Sequence, residues 1–236
     1  MTKKLVVTGA TKGIGRAIAE KFLANGYETA VCARNAVELN TMAEDIVKKG
    51  YPGSLHTFVC DVTDRNQLIA FHEFVSEKMG AIDILVNNVG IFEPGAIHEE
   101  AEGVLERQMA TNVYCAYHLS RLFLPKMMEC KSGHIFNLCS IASIMAYANG
   151  GSYCISKYAM YGMTKVLREE LKPFMIKVTA VLPGATLSGS WEGTTLPKER
   201  FMKASDVAES IYFIAQLSPA TVVEEILLRP MEGDIN

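Results

Sequence analysis

The chain has 236 residues, 49% of them apolar, and a formal charge of −3. That suits one sizeable domain with a full core and provides no broad basic surface for nucleic acid. No apolar run is long and uninterrupted enough to span a membrane. Residues 1–4 lead straight into an apparent first strand, so no signal peptide is expected. Six cysteines without paired spacing predict reduced thiols and a cytoplasmic location, and five histidines without a His-Glu-x-x-His pattern predict no metal.

Residues 4–8 read as a short buried strand dense in branched apolar side chains. They run into Gly9-Ala10-Thr11-Lys12-Gly13-Ile14-Gly15, and a helix follows over 16–24, with Ile14, Ala17, Ile18 and Phe22 at helical spacing. Strand, glycine turn and helix in this order set free N–H groups and the positive helix end against a phosphate. The spacing is Gly-x-x-x-Gly-x-Gly, not the Gly-x-Gly-x-x-Gly of the dinucleotide fingerprint, but the physics is similar. A second strand, 28–33, ends at Arg34-Asn35. A bare ribose hydroxyl would want an acidic residue about 20 positions after the glycines. Arg34 stands there instead, and Lys12 lies inside the loop; two cations suit a 2′-phosphate, so the cofactor expected is NADP(H).

Strands are then expected at 54–60, 82–86, 134–138, 177–182 and 222–228. Helices are expected at 64–79 with Asp64 as cap, at 101–130, around Tyr153, and at 206–217. Such alternation implies an α/β fold, a Rossmann-type doubly wound parallel sheet forming a single domain over 1–236. Residues 184–197 are rich in glycine and hydroxyls and long for a connector. They follow the carboxyl end of a strand, where ligands bind, and predict a mobile lid over substrate at about 184–203. Trp191, the only tryptophan, either stacks on a flat ring or packs the lid against the body. Phe92, Met145 and Tyr147 are further wall candidates from their places beside the motifs.

The most specific chemistry lies in Asn112, Ser140, Tyr153 and Lys157. Tyr153 and Lys157 are four apart, which places them on one helix face. A free phenol has a pKa of about 10, and lowering it by roughly two to three units takes about 3–4 kcal/mol of differential interaction. A neighbouring ammonium favours that change and makes the tyrosine a usable general acid or base. Ser140 leaves an apolar run from which it offers a hydroxyl to a substrate oxygen.

Together these pieces resemble the short-chain dehydrogenase/reductase family over nearly the whole chain. The matching segments are residues 8–15, Cys60-Asp61-Val62, Asn87-Asn88-Val89-Gly90, Asn112, Ser140, Tyr153 with Lys157, and Pro183-Gly184. The resemblance implies that Asp61 and Val62 flank the adenine and that Asn88, Val89 and Gly90 line the cofactor. It implies that Tyr153 is the general acid/base, that Ser140 positions the carbonyl and that Lys157 also grips the nicotinamide ribose. Asn112 would hold a water relaying protons to Lys157. Pro183, Gly184, Thr186 and Ser188 complete the cofactor contacts. Val89 stands where the family usually has alanine, and Ser188 where it often has threonine. The C-terminal run 222–235 and Trp191 further resemble bacterial sepiapterin reductases.

The activity implied is reduction of a small carbonyl compound, a pterin side-chain ketone or diketone, by a homodimer or homotetramer. A 3-oxoacyl-[acyl-carrier-protein] reductase is the runner-up and would need a basic patch, for which Arg121, Lys126 and Arg168 are candidates. A non-catalytic NADP(H)-binding regulator is the reading of a different class, and it has no need for the tetrad. A sugar-nucleotide epimerase would need a larger C-terminal substrate domain.

Overall fold

The computed structural model describes residues 2–187, 189–191 and 193–235. Strand β1 (Lys4–Thr8) turns Val6 into one hydrophobic core and Leu5 and Val7 into another. Burial on both faces explains its continuous apolar run, since such a strand has no solvent face to alternate with. It is followed by β2 (Glu28–Ala33), β3 (Leu55–Val59), β4 (Ile84–Asn87), β5 (Gly133–Leu138), β6 (Ile176–Pro183) and β7 (Glu225–Leu228). All pair in parallel in the order β3-β2-β1-β4-β5-β6-β7. The expected doubly wound α/β sheet is therefore the fold.

Helices α1 (Gly13–Ala24), α2 (Ala36–Lys49) and α7 (Ala204–Ala215) cover one face, contributing Phe22, Met42 and Ile211 to its core. On the other face lie α3 (Arg65–Met79), α5 (Cys115–Cys130) and α6 (Gly151–Leu171), with Phe71, Phe123 and Met160 buried beneath them. A short helix, α4 (Val104–Met109), precedes α5. The chain leaves β1 towards β2 and returns on the other side of β1 to form β4. At that reversal the connections diverge and open a crevice at the carboxyl ends of the strands.

Several boundaries depart from the sequence pattern. Helix α2 was not anticipated, although Leu39, Met42 and Ile46 line its buried face, Asn35 caps its start and Gly50 ends it at φ +62°. Helix α1 begins at Gly13 and takes in the last loop glycines. Asp64 caps α3 as expected, accepting from Asn66 and Gln67 N–H. The segment expected as one helix over 101–130 is instead α4, a π-helical turn at Ala110–Tyr114, and α5. β7 starts at Glu225, later than its apolar pattern suggests; its register with β6 begins with Ala180 opposite Glu225. Among the described residues no helix is long and apolar enough to cross a membrane.

His134 in β5 is buried, with Nε2 2.8 Å from Thr179 Oγ1 and its ring stacked on Phe136. Burial, and then the charge of Lys177, lowers its pKa from 6.5 to about 3. The unfolded chain therefore takes up a proton that the folded one refuses. Its contribution to stability is complete above about pH 6.5 and is lost as pH falls towards about 3. His134→Gln should flatten that part of the acid limb in urea denaturation; an unchanged limb would assign the acid sensitivity to other groups.

Candidate active site

The turn after β1 packs against the end of β4 because its glycines leave no side chain between them. Gly9 has φ +67°, and a Cβ there would lie 2.8 Å from Val89 Cγ2. A Cβ on Gly15 would collide with the Asn88 amide nitrogen and the Gly9 carbonyl oxygen. Asn88 itself fastens the two strand ends. Its backbone N–H donates to Thr8 Oγ1 at 3.0 Å, and its side chain donates to the Thr8 and Gly9 carbonyls at 2.9 and 3.0 Å. Helix α1 then starts with no side-chain cap among the described residues and no acid in its first turn. Its exposed N–H groups and positive dipole end fit the phosphates of a dinucleotide.

At the outer end of this cradle the described polar groups are already engaged. Asp61 accepts from Thr63 N–H at 3.0 Å and Thr63 Oγ1 at 2.7 Å, with Val62 buried beside it. Those bonds, and then the Arg34 charge, hold its carboxyl below the usual range. Arg34 is exposed, and Asn35 spends its side-chain oxygen capping α2. Lys12 Nζ lies 2.8 Å from Glu38 Oε1, while Thr11 Oγ1 donates to Glu38 Oε2 at 2.9 Å. Lys12 and then Thr11 hold the Glu38 carboxyl low. Sequence reasoning missed Glu38, which lies on the unanticipated helix α2.

Tyr153 and Lys157 stand one turn apart on α6. Lys157 is buried and donates from Nζ to the Leu138 carbonyl at 2.8 Å, with Nζ 5.8 Å from the Tyr153 ring centroid. Ser140 follows β5; its Oγ accepts from Ala142 N–H at 3.1 Å, which leaves its own proton for another partner. Asn112 sits in the π-helical turn, a helix irregularity frequent at functional sites. It accepts from Ile91 N–H at 2.7 Å and donates to Ile91 O at 3.0 Å and Ser156 Oγ at 2.9 Å. A Cβ on Gly90 would meet Asn112 Oδ1 and Lys157 Nζ at 3.4 Å each, so all three crowd one point.

Ser140, Tyr153 and Lys157 line one cavity of about 420 Å³. Ile14, Asn88 and Gly90 border it from the glycine turn and β4, and Pro183, Gly184 and Thr186 from the end of β6. Gly184 N–H donates to Leu228 O at 2.8 Å, which fixes that corner. The expected wall residues Phe92, Met145, Tyr147 and Trp191 are all present. Burial, and then neighbouring Tyr153, pushes the Tyr147 phenol up, so it remains a hydrogen-bond donor. Trp191 also packs edge-on at 4.8 Å against Phe201, which lies in the same 184–203 segment. Ser188 lies outside the described residues.

The C-terminal tail, singled out in the sequence only for its resemblance to sepiapterin reductases, supplies a wall of the cavity. Asp234 and Ile235 reach the cavity. Asp234 Oδ2 lies 3.0 Å from Arg229, while its buried Oδ1 has no hydrogen-bond partner among the described residues. Arg200, from the 184–203 segment, holds the tail through the Gly233 and Asp234 carbonyls at 3.5 and 3.4 Å.

Residues 3–198 match the short chain dehydrogenase family model. The chain belongs to the short-chain dehydrogenase family. Among curated relatives, a sepiapterin reductase of Chlorobaculum tepidum is 30% identical, over 98% of this chain and 97% of that protein. A 3-oxoacyl-[acyl-carrier-protein] reductase of Thermotoga maritima is 28% identical, over 95% of each. Among solved structures, an alcohol dehydrogenase from the archaeon Thermococcus sibiricus, complexed with 5-hydroxy-NADP, superimposes with a TM-score of 0.90 at 25% identity and full coverage of both chains. A metagenomic short-chain oxidoreductase in complex with NADP gives 0.84 at 30% identity, over 97% of each. Family membership accounts for the glycine spacing, which departs from the dinucleotide fingerprint while keeping a similar cradle.

Proposed function

We propose that this protein is an NADPH-dependent carbonyl reductase acting on a sepiapterin-type pterin ketone or a small diketone. The observation that carries the reading is the convergence of Ser140, Tyr153 and Lys157 on one cavity that also touches the glycine turn. NADPH, when bound, supplies the hydride. Tyr153 gives its phenolic proton to the carbonyl oxygen, and the free Ser140 proton holds that oxygen in place. Lys157, anchored on Leu138 O, sets a fixed positive charge beside the ring. Asn112 holds the backbone at Ile91.

The first helix turn and Gly9, Gly13 and Gly15 hold the pyrophosphate, and Asp61 and Val62 flank the adenine. Asn88, Val89, Gly90, Pro183, Gly184 and Thr186 line the nicotinamide end. The NADP complexes of two structural relatives support this cofactor. Arg34 and Lys12 meet the 2′-phosphate, which must draw Lys12 away from Glu38. Glu38→Gln should therefore tighten NADPH about two- to fivefold, the scale of an exposed ion pair. Arg34→Asp should weaken NADPH far more than NADH in fluorescence titrations; unchanged selectivity in that variant would refute the 2′-phosphate assignment.

For the substrate, the aromatic walls Phe92, Tyr147 and Trp191 suit a flat ring. The unpartnered Asp234 oxygen is an acceptor for ring N–H donors. The acyl-carrier reading needs cations ready for an acidic partner. Instead Arg121 lies over Tyr117, Lys126 pairs with Glu129 and Arg168 with Glu224. A non-catalytic regulator would leave the convergence of the tetrad unexplained. Exposed Tyr114, Tyr117, Ile155 and Tyr158 on the π-helical turn, α5 and α6 support a homo-oligomer.

The test is NADPH oxidation with sepiapterin, a vicinal diketone and an acetoacetyl thioester. Tyr153→Phe should keep NADPH binding and lose at least about 100-fold in turnover; full activity in that variant would sink the mechanism. Asp234→Asn should raise KM for sepiapterin and spare the diketone. Turnover confined to the thioester would overturn the substrate assignment.

A further inference from the structure

Helix α6 carries both Tyr153 and Lys157, yet its own sequence gives it no cap. Gly150 precedes it without a side chain, and no acidic residue stands in its first turn. The first N–H groups of an α-helix have no intrahelical acceptors. Here the acceptor comes from Glu100, 52 residues earlier in the chain. Its Oε1 accepts from Ser152 N–H at 2.8 Å, and its Oε2 accepts from the Ser152 hydroxyl. A carboxylate in this place makes a charge-assisted bond and meets the positive end of the helix dipole.

Two glycines make room for it. A Cβ on Gly95 would lie 2.8 Å from Glu100 Cγ. One on Gly151 would overlap Glu100 Oε1 and approach the Gly95 carbonyl oxygen to 2.5 Å. The same loop is tied down by Gly95 N–H donating to Asn149 O at 2.9 Å. It also carries Phe92, whose ring packs edge-on against Tyr153 at 4.8 Å. One carboxylate thus joins the start of the Tyr153 helix to the loop that packs on Tyr153.

We propose that Glu100 is a positioning residue for carbonyl reduction, fastening the first turn of α6 so that Tyr153 stands in line with the substrate carbonyl. The inference rests on the reductase reading above. Ser152 immediately precedes Tyr153, so any shift of the capped amide passes directly to the phenol. Displacements of about 1 Å near a reacting group cost up to about 100-fold in rate.

The experiment compares Glu100→Ala, Glu100→Gln and Gly151→Ala in steady-state reduction of a vicinal diketone, in NADPH titration and in amide hydrogen exchange. Glu100→Ala should lower kcat about tenfold or more while NADPH affinity is kept. Exchange at Ser152 and Tyr153 should quicken. Glu100→Gln retains an acceptor for Ser152 N–H and should recover most of kcat. Gly151→Ala, whose methyl meets both the carboxylate and the Gly95 carbonyl, should break the same junction and lower kcat at least as far with Glu100 still present. Unchanged kcat in Glu100→Ala would overturn the proposal. So would a parallel fall in kcat, NADPH affinity and melting temperature, since that describes general destabilisation. A wild type inert towards every carbonyl would defeat the reductase reading, and the exchange data would still decide whether Glu100 fastens α6.

Discussion

Asn88 holds the site together. Its backbone and side-chain bonds to Thr8 and Gly9 clamp the end of β4 onto the end of β1 at the point where the sheet reverses direction. That crevice is the one place where the connections diverge, so a ligand can reach backbone N–H groups at strand ends. The glycines follow from the clamp: Gly9 must approach Val89, and Gly15 must approach Asn88, more closely than a side chain permits. The glycine turn and the cavity are thus two ends of one tightly packed junction.

Two of the proposed reacting groups, Lys157 and Asn112, are held by bonds to the backbone and to Ser156. Lys157 is buried but answered by Leu138 O, and Asn112 is answered by Ile91 and Ser156. Buried polar groups left unmatched would cost more than their pairing returns, so such a set is either complete or absent. The π-helical turn serves that completeness by interrupting the regular ladder around Asn112. Of the buried oxygens without a partner among the described residues, Asp234 Oδ1 is the one whose residue lines the cavity.

The cavity divides by origin. Its chemical side comes from the ends of β4, β5 and β6 and from α6, elements fixed by the sheet. Its opposite side comes from the 184–203 segment and the tail, joined through Arg200 to the Gly233 and Asp234 carbonyls. Relatives of this chain include a sepiapterin reductase and a 3-oxoacyl-[acyl-carrier-protein] reductase, and loops on a rigid scaffold are where such differences of substrate arise.

The sequence by itself determined the parallel sheet, the glycine turn and the shared helix face of Tyr153 and Lys157. Those features are local: a doubly buried strand is a run of branched apolar residues, and a helical pair is a spacing of four. Helix α2 was legible in principle from Asn35, Gly50 and the spacing of Leu39, Met42 and Ile46, but that apolar face sits among many polar and charged residues. Tertiary structure alone decided the rest. Glu38 meets Lys12 only because α2 lies beside the glycine turn, and Glu100 caps α6 only because a distant loop folds over its start. Asp234 reaches the cavity only because the tail returns across it. Contacts between residues far apart in sequence leave no periodicity in either segment, so a pattern-based reading places the catalytic face and misses what surrounds it.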